Sequence, residues 1–232
     1  MHLSPSHVIA AHVIRGLIFD LDGTLVDSLP GIATSINNAL NEANLPTHSQ
    51  TTIESFIGNG ARALVELALG DKRDRTEDIL ASFHRHYAED WKSGTLIYPG
   101  MLELLRNLHA NEYPLAVLSN KPHQHTSKIV AELFPNHLFD QVMGHQESFP
   151  KKPDPTMAHQ IIAKWNLKPS QVAYVGDSTV DLATAHAGAT AASSSTCAPT
   201  TAATRCAVIS ATSAASILRA ASLLRAATSR GV

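Results

Sequence analysis

The chain has 232 residues, enough to bury a sizeable core without disulfide or metal staples. Apolar residues make up 44% and charged residues 16%, with a formal net charge of −2, which excludes a disordered polyelectrolyte and argues against a nucleic-acid partner. Cys197 and Cys206 lack metal-ligand spacing, no apolar run reaches the roughly 20 residues that cross a bilayer, and the stretch before Arg15 lacks a positively charged start. A cytoplasmic protein with no membrane partner, monomeric or homodimeric, is expected.

Val13-Ile14-Arg15-Gly16-Leu17-Ile18-Phe19 is short, β-branched and nearly all apolar, and it stops at Asp20. That pattern predicts a buried parallel strand with polar chemistry at its carboxyl end. Between Asp27 and about Gly94 the apolar residues fall at helical spacing: Ile32, Ile36 and Leu40, then Leu64, Leu67 and Ala68, then Ile79, Phe83 and Tyr87. A helical domain over 29–94, inserted into a core formed by 1–28 and 95–232, is the expectation. Gly58-Asn59-Gly60 punctuates the insertion, and Pro99-Gly100 marks the return to the core before a helix from about Met101 to Ala110.

Three later segments repeat the first design. Leu115 to Leu118 ends at Ser119, Val172 to Val175 ends at Gly176-Asp177, and Val208-Ile209 ends at Ser210, with helix-period stretches between. The alternation predicts an α/β fold with a doubly wound parallel sheet. In such sheets ligands bind outside the carboxyl ends of the strands, where Asp20, Ser119 and Asp177 would converge. From Ala189 onward the chain has no Asp, Glu or Lys, and Ile217, Ala221 and Leu224 mark a weak closing helix. Residues 1–188 carry all 20 acidic groups and 14 of the 18 Lys and Arg, a net −6, so the acidity belongs to the part with the chemistry.

Asp20-Leu21-Asp22-Gly23-Thr24-Leu25 sets two carboxylates two residues apart at a strand end, where they repel unless a cation or a shared proton relieves them. Gly176-Asp177-Ser178-Thr179-Val180-Asp181 sets two more across the first turn of a helix. Each motif taken singly is also an ordinary Asp-Gly turn or a capped helix start. Four carboxylates at the tips of two strands exceed what capping requires and match the oxygen-rich site that magnesium prefers. Ser119-Asn120-Lys121 and Lys151-Lys152-Pro153 add a hydroxyl and an ammonium suited to phosphate oxygens. His84-x-His86 and His123-x-His125 are read as surface residues without a role, because a spacing of two on a helix points the rings apart. Trp91 and Trp165 are expected to close helices and pack on the core.

Taken in order, these four motifs resemble those of the haloacid dehalogenase-like phosphatases, over about Val13 to Gly188. With Phe56-Ile57-Gly58-Asn59-Gly60-Ala61, Tyr98-Pro99-Gly100 and Ser119-Asn120-Lys121-Pro122, the chain is most similar to the phosphoglycolate phosphatase branch. The resemblance implies a Rossmann-like core, a helical cap inserted after the first strand, and Mg2+-dependent hydrolysis of a small phosphorylated metabolite. It implies Asp20 as nucleophile and Asp22 as general acid and base. Asp177 would bind metal beside Asp20 and the backbone carbonyl of Asp22. Ser119, Asn120 and Lys152 would hold phosphate, with Thr24 and Asp181 in support. Asn59 and Arg62 are candidate specificity residues, although a solvent-facing helix start is the commoner place for such an arginine. A sugar-phosphate phosphatase, a phosphomutase or, from another class, a phospho-accepting signalling module are the alternatives. The segment Ser193-Ser194-Ser195-Thr196-Cys197-Ala198-Pro199 departs from the family pattern, and small polar residues there predict low stability.

Overall fold

The first strand in the computed structural model, which describes residues 14–188 and 191–192, is β1 (Gly16–Phe19), buried along its whole length. A tight loop leads to β2 (Val26–Asp27) and then to four helices, α1 (Leu29–Glu42), α2 (Gln50–Glu54), α3 (Ala61–Leu69) and α4 (Thr76–Asp90). The next strand, β3 (Leu96–Ile97), pairs antiparallel with β2, setting Val26 opposite Ile97. The outgoing and returning connections of the helical segment are therefore hydrogen-bonded to each other. The chain continues through α5 (Met101–Ala110), β4 (Leu115–Pro122), α6 (His123–Leu133), β5 (Gln141–His145), α7 (Thr156–Lys164), β6 (Val172–Val175), α8 (Thr179–Ala187) and β7 (Ala191–Ala192).

The main sheet has the order β5-β4-β1-β6-β7 and every pairing in it is parallel. Side chains alternate across it, as strand geometry requires. Leu17, Phe19, Leu115, Val117, Ala173 and Val175 face one side, where the core also takes in α5, α6 and the helices after β2. Ile18, Ala116, Leu118, Val172 and Tyr174 face the other, against Met157, Ala158, Ile161 and Ile162 of α7 and Ala185 of α8. Each fully buried Leu, Ile, Val, Phe or Met side chain contributes about 1.5–3 kcal/mol. Trp91 and Trp165 follow α4 and α7 directly and pack against the two cores.

The expected doubly wound parallel sheet is present, with differences at its margins. The first strand starts at Gly16 rather than Val13, and β4 runs beyond Ser119 to Pro122, with its register against β5 shifting between those residues. The edge strand β5 has no counterpart in the sequence expectations, because Gln141, Gly144 and His145 break its apolar run. The expected strand at Val208-Ile209, the closing helix and the segment from Ser193 lie outside the described residues. Among the described residues, β7 stands beside β6 at that edge. No helix among them is long and apolar enough to cross a membrane.

Candidate active site

The sheet register sets Phe19 beside Val117 and Val175, so the residues that follow leave the sheet along one edge. Asp20 stays tied to it, donating its N–H to Val175 O at 2.9 Å. Directly beyond, Gly23 takes a φ of 80°, and a Cβ there would collide with the Asp177 carboxylate. Glycine is what lets the first loop lie against the sixth strand's tip. Thr24 completes the join, donating from Oγ1 to Asp177 Oδ1 at 2.8 Å.

Asp20, Asp177 and Asp181 each bring a carboxylate oxygen within 4.8 Å of the others. Lys152, buried, is the ammonium among them, with Nζ 2.7 Å from Asp181 Oδ1 and 2.8 Å from Asp20 Oδ1. A cis peptide joins Lys152 to Pro153. The two lysine contacts differ in kind. Lys152 Nζ donates to Asp181 and to Leu118 O, whereas Asp20 Oδ1 lies outside hydrogen-bond angles and has no donor. Asp181 is saturated: Oδ1 also accepts from Tyr174 Oη, and Oδ2 accepts from the N–H and hydroxyl of Ser178, whose Oγ in turn accepts from Asp181 N. Asp181 is thus at once the partner of a helix-capping box and the anchor of Lys152. The carboxylate oxygens left open belong to Asp20 and Asp177.

Three carboxylates against one ammonium leave the cluster under-neutralised. Burial pushes Asp20 up to about 8, with the charges of Asp181 and Asp177 adding and Lys152 opposing. Asp177 rises to about 6, because the crevice walls strip solvent from it although the residue itself is exposed, and Asp181 adds to the shift. Burial works to discharge Lys152, but Asp181 and Asp20 outweigh it, and its pKa is raised well above the usual lysine value. An oxygen set with this excess of negative charge fits a hard divalent cation.

Asp22 points elsewhere. Its carboxylate accepts from Lys121 Nζ at 3.0 and 2.9 Å and from Ser28 Oγ at 2.5 Å. The sequence offers Lys121 only as part of the Ser119-Asn120-Lys121 motif. Its Nζ also sits 4.7 Å over the ring of Tyr87 from α4. Ser119 Oγ is buried and accepts from Lys121 N, which leaves its proton free for an incoming oxygen. Asn120 has spent its side chain: Nδ2 donates to Gly58 O and Lys152 O, and Oδ1 accepts from Lys152 N. No side-chain donor of Asn120 is left over.

These residues open onto a crevice of about 560 Å³ between the sheet edge and the helices after β2. Asp20, Asp22, Ser119, Asn120, Lys152 and Asp177 line it, together with Tyr98 and, from the helices, Ile32, Leu64 and Phe83. Asn59 is exposed and Arg62 pairs with Glu77 at 2.8 Å, and neither lines the crevice. The histidines correct another expectation. The rings of His84 and His86 do diverge, His86 going to Glu42, but His84 meets His125 and both line the crevice. The helical spacing was informative within each helix and silent about a partner on another.

The sheet and its acidic edge define a hydrolase of the haloacid dehalogenase-like type, an α/β core under a helical cap. The chain matches the haloacid dehalogenase-like hydrolase family over residues 17–192 and belongs to it. Among curated relatives, it is 37% identical over 182 residues to a phosphoglycolate phosphatase of Haemophilus influenzae strain 86-028NP, spanning 75% of this chain and 81% of the relative. The phosphoglycolate phosphatase of Cereibacter sphaeroides is 38% identical over 177 residues, covering 74% of this chain and 80% of its own. A solved structure of a predicted phosphoglycolate phosphatase from Haemophilus somnus 129PT superposes with a TM-score of 0.71 at 35% identity, over 77% of this chain and 83% of that one.

Proposed function

We propose that this chain is a magnesium-dependent phosphatase that hydrolyses a small phosphate monoester, 2-phosphoglycolate first among the candidates, through an aspartyl phosphate on Asp20. The observation that carries the reading is the Asp20 carboxylate, which lines the crevice with Lys152 Nζ 2.8 Å from its buried, hydrogen-bond-free Oδ1. The substrate follows from the relatives, which are phosphoglycolate phosphatases. The reading places the reaction in the cytoplasm, with residues 29–94 as the lid that limits access to small esters.

The carboxylates of Asp20 and Asp177 and the backbone carbonyl of Asp22 would hold the divalent ion, which supplies the positive charge that lets a phosphate dianion approach a carboxylate. Ser119 Oγ and the Asn120 N–H donate to phosphoryl oxygens. Lys152 keeps its bond to Asp181 and turns its contact with Asp20 toward the phosphoryl group. Asp20 then attacks phosphorus. The new O–P bond forms as the ester P–O bond breaks, and Asp22, having taken up a proton from solvent before the lid closes, gives it to the departing alcohol oxygen. In the second half Asp22, now a carboxylate, takes a proton from the water that attacks phosphorus, and Asp20 leaves as a free carboxylate with inorganic phosphate released. Thr24 and Asp181 position Asp177 and Lys152 for this work.

Steady-state release of phosphate from 2-phosphoglycolate and a panel of sugar phosphates, with and without Mg2+, tests the reading. Release that requires Mg2+ supports it. A stable phosphorylated protein with negligible turnover would mark a phospho-accepting module instead.

A further inference from the structure

Four basic side chains line the crevice, and they fall into two pairs. Lys152 is held by Asp20 and Asp181, and Lys121 by Asp22. His84 and His125 have no carboxylate partner and no hydrogen bond among the described residues. They arrive from different elements, His84 from the middle of α4 and His125 from the first turn of α6. Their rings lie nearly parallel, 6° apart in plane with centroids separated by 6.2 Å. Tyr87 meets His125 edge-on at 5.8 Å and also carries Lys121 over its ring, so the imidazoles stand next to the lysine that holds Asp22.

The surroundings give this corner a sign. Asp27, Glu54 and Asp177 line the crevice with no lysine on them, and they repel an anion. The imidazole corner instead has Lys121 and Lys128 nearby, and both add positive potential at His125. Burial lowers the pKa of His84, and burial with those lysines lowers that of His125, so both rings are neutral near pH 7 and each carries one N–H. The two half-buried rings line a ligand-sized space and have no protein acceptor among the described residues for their N–H groups, which are left to water or to a ligand.

We infer that His84 and His125 form a distal anion subsite, which receives a carboxylate on the leaving-group side of the phosphate ester while the phosphoryl group sits at Asp20. The inference rests on the phosphatase reading and deepens it by assigning specificity to a cap residue and a core residue acting together. A carboxylate has two oxygens and the pair offers two N–H donors. An ester lacking the carboxylate leaves both unpaired, which is how a polar site discriminates strongly.

The test compares 2-phosphoglycolate and its one-carbon-longer homologue with ethyl and propyl phosphate, in the parent chain and in His84→Phe, His125→Phe and the double variant. Phenylalanine keeps an aromatic ring in the stack and removes the donors. The ratio of kcat/KM for a carboxylate ester over its alkyl counterpart is expected to fall about tenfold or more, chiefly through KM. Equal loss on both ester types, or no loss on either, overturns the subsite. A second readout is independent of turnover: the imidazole Cε1–H resonances of His84 and His125 in Asp20→Asn protein, titrated with 2-phosphoglycolate or ethyl phosphate. Shifts with the carboxylate ester alone support the subsite, and no shift overturns it even if the parent chain hydrolyses neither ester, a result that would defeat the phosphatase reading separately.

Discussion

Lys121 Nζ bridges both carboxylate oxygens of Asp22, at 3.0 and 2.9 Å, from a position 99 residues away in the chain. The side chains are 8% and 16% exposed, so neither charge has much water to fall back on. Removing one partner of such a pair costs about 3 kcal/mol, most of it from the charge left behind. Lys121→Met is expected to lose that stability and to lower kcat, because Asp22 loses the contact that aims it. Asp22→Asn combined with Lys121→Met should recover much of the loss. Urea denaturation of the four members of this cycle checks the coupling, and simple additivity would deny it.

Gly23 and Asp177 give a second, sharper expectation. An alanine at position 23 must adopt a φ of 80° and push its methyl group into the carboxylate. Left-handed backbone costs a non-glycine residue about 1–2 kcal/mol before any collision. Gly23→Ala should therefore displace Asp177 and weaken divalent binding by at least about tenfold, with a smaller fall in melting temperature. Calorimetric titration with Mg2+ measures the first effect and thermal melting the second. Unchanged Mg2+ affinity would mean that Asp177 does not hold the ion.

Much of this arrangement is legible in the sequence, for physical reasons that particular residues make plain. β1, β6 and the first half of β4 are buried on both faces, so they read as apolar runs, and each run gives way to polar residues, at Asp20, Gly176-Asp177 and Ser119. The helix at Met101–Ala110 follows from Pro99-Gly100 and its apolar spacing. The edge strand β5 does not show, since only part of it is buried and its pattern is mixed. β2 and β3, with two residues each, carry too little pattern to register. At the site, the motifs announce the carboxylates but not their pairing. The hold of Lys121 on Asp22, made where β4 meets the loop after β1, and the meeting of His84 with His125, made where α4 meets α6, are tertiary facts. Asp181 reads in the sequence as a supporting carboxylate or as decoration on a capped helix start, and the structure makes it both the partner of a capping box and the anchor of Lys152.

The raised carboxyls make metal-free stability depend on pH in a defined direction. Asp20 at about 8 and Asp177 at about 6 hold protons that the unfolded chain, with carboxyls near about 3.9, has already released. The folded state binds more protons, so the stability these two groups contribute is fully present below the unfolded value and is lost as pH rises through about 6 and then about 8. Lys152 stays charged throughout, its pKa being raised above the usual lysine value. The melting temperature in EDTA should accordingly drop between about pH 5 and about pH 9. Mg2+ should raise it more at the alkaline end, where the ion no longer competes with protons. A Mg2+-induced increase that shrinks with rising pH would contradict the assignment of these carboxylates to the ion.

Asp20→Asn separates chemistry from folding most cleanly. The substitution removes one of three crowded negative charges while keeping the shape of the side chain, and Lys152 retains Asp181 as its hydrogen-bond acceptor. In the metal-free chain at about pH 8.5 the variant should melt at or above the parent temperature, because the neutral amide has no charge for burial to penalise. Phosphate release should fall to the background of the assay, since an amide oxygen cannot serve as the attacking carboxylate. The two measurements are read together. Lost turnover with a lowered melting temperature would indicate general damage, whereas lost turnover with an equal or higher one assigns the attack to Asp20, and substantial residual turnover from a folded variant would place the nucleophile elsewhere.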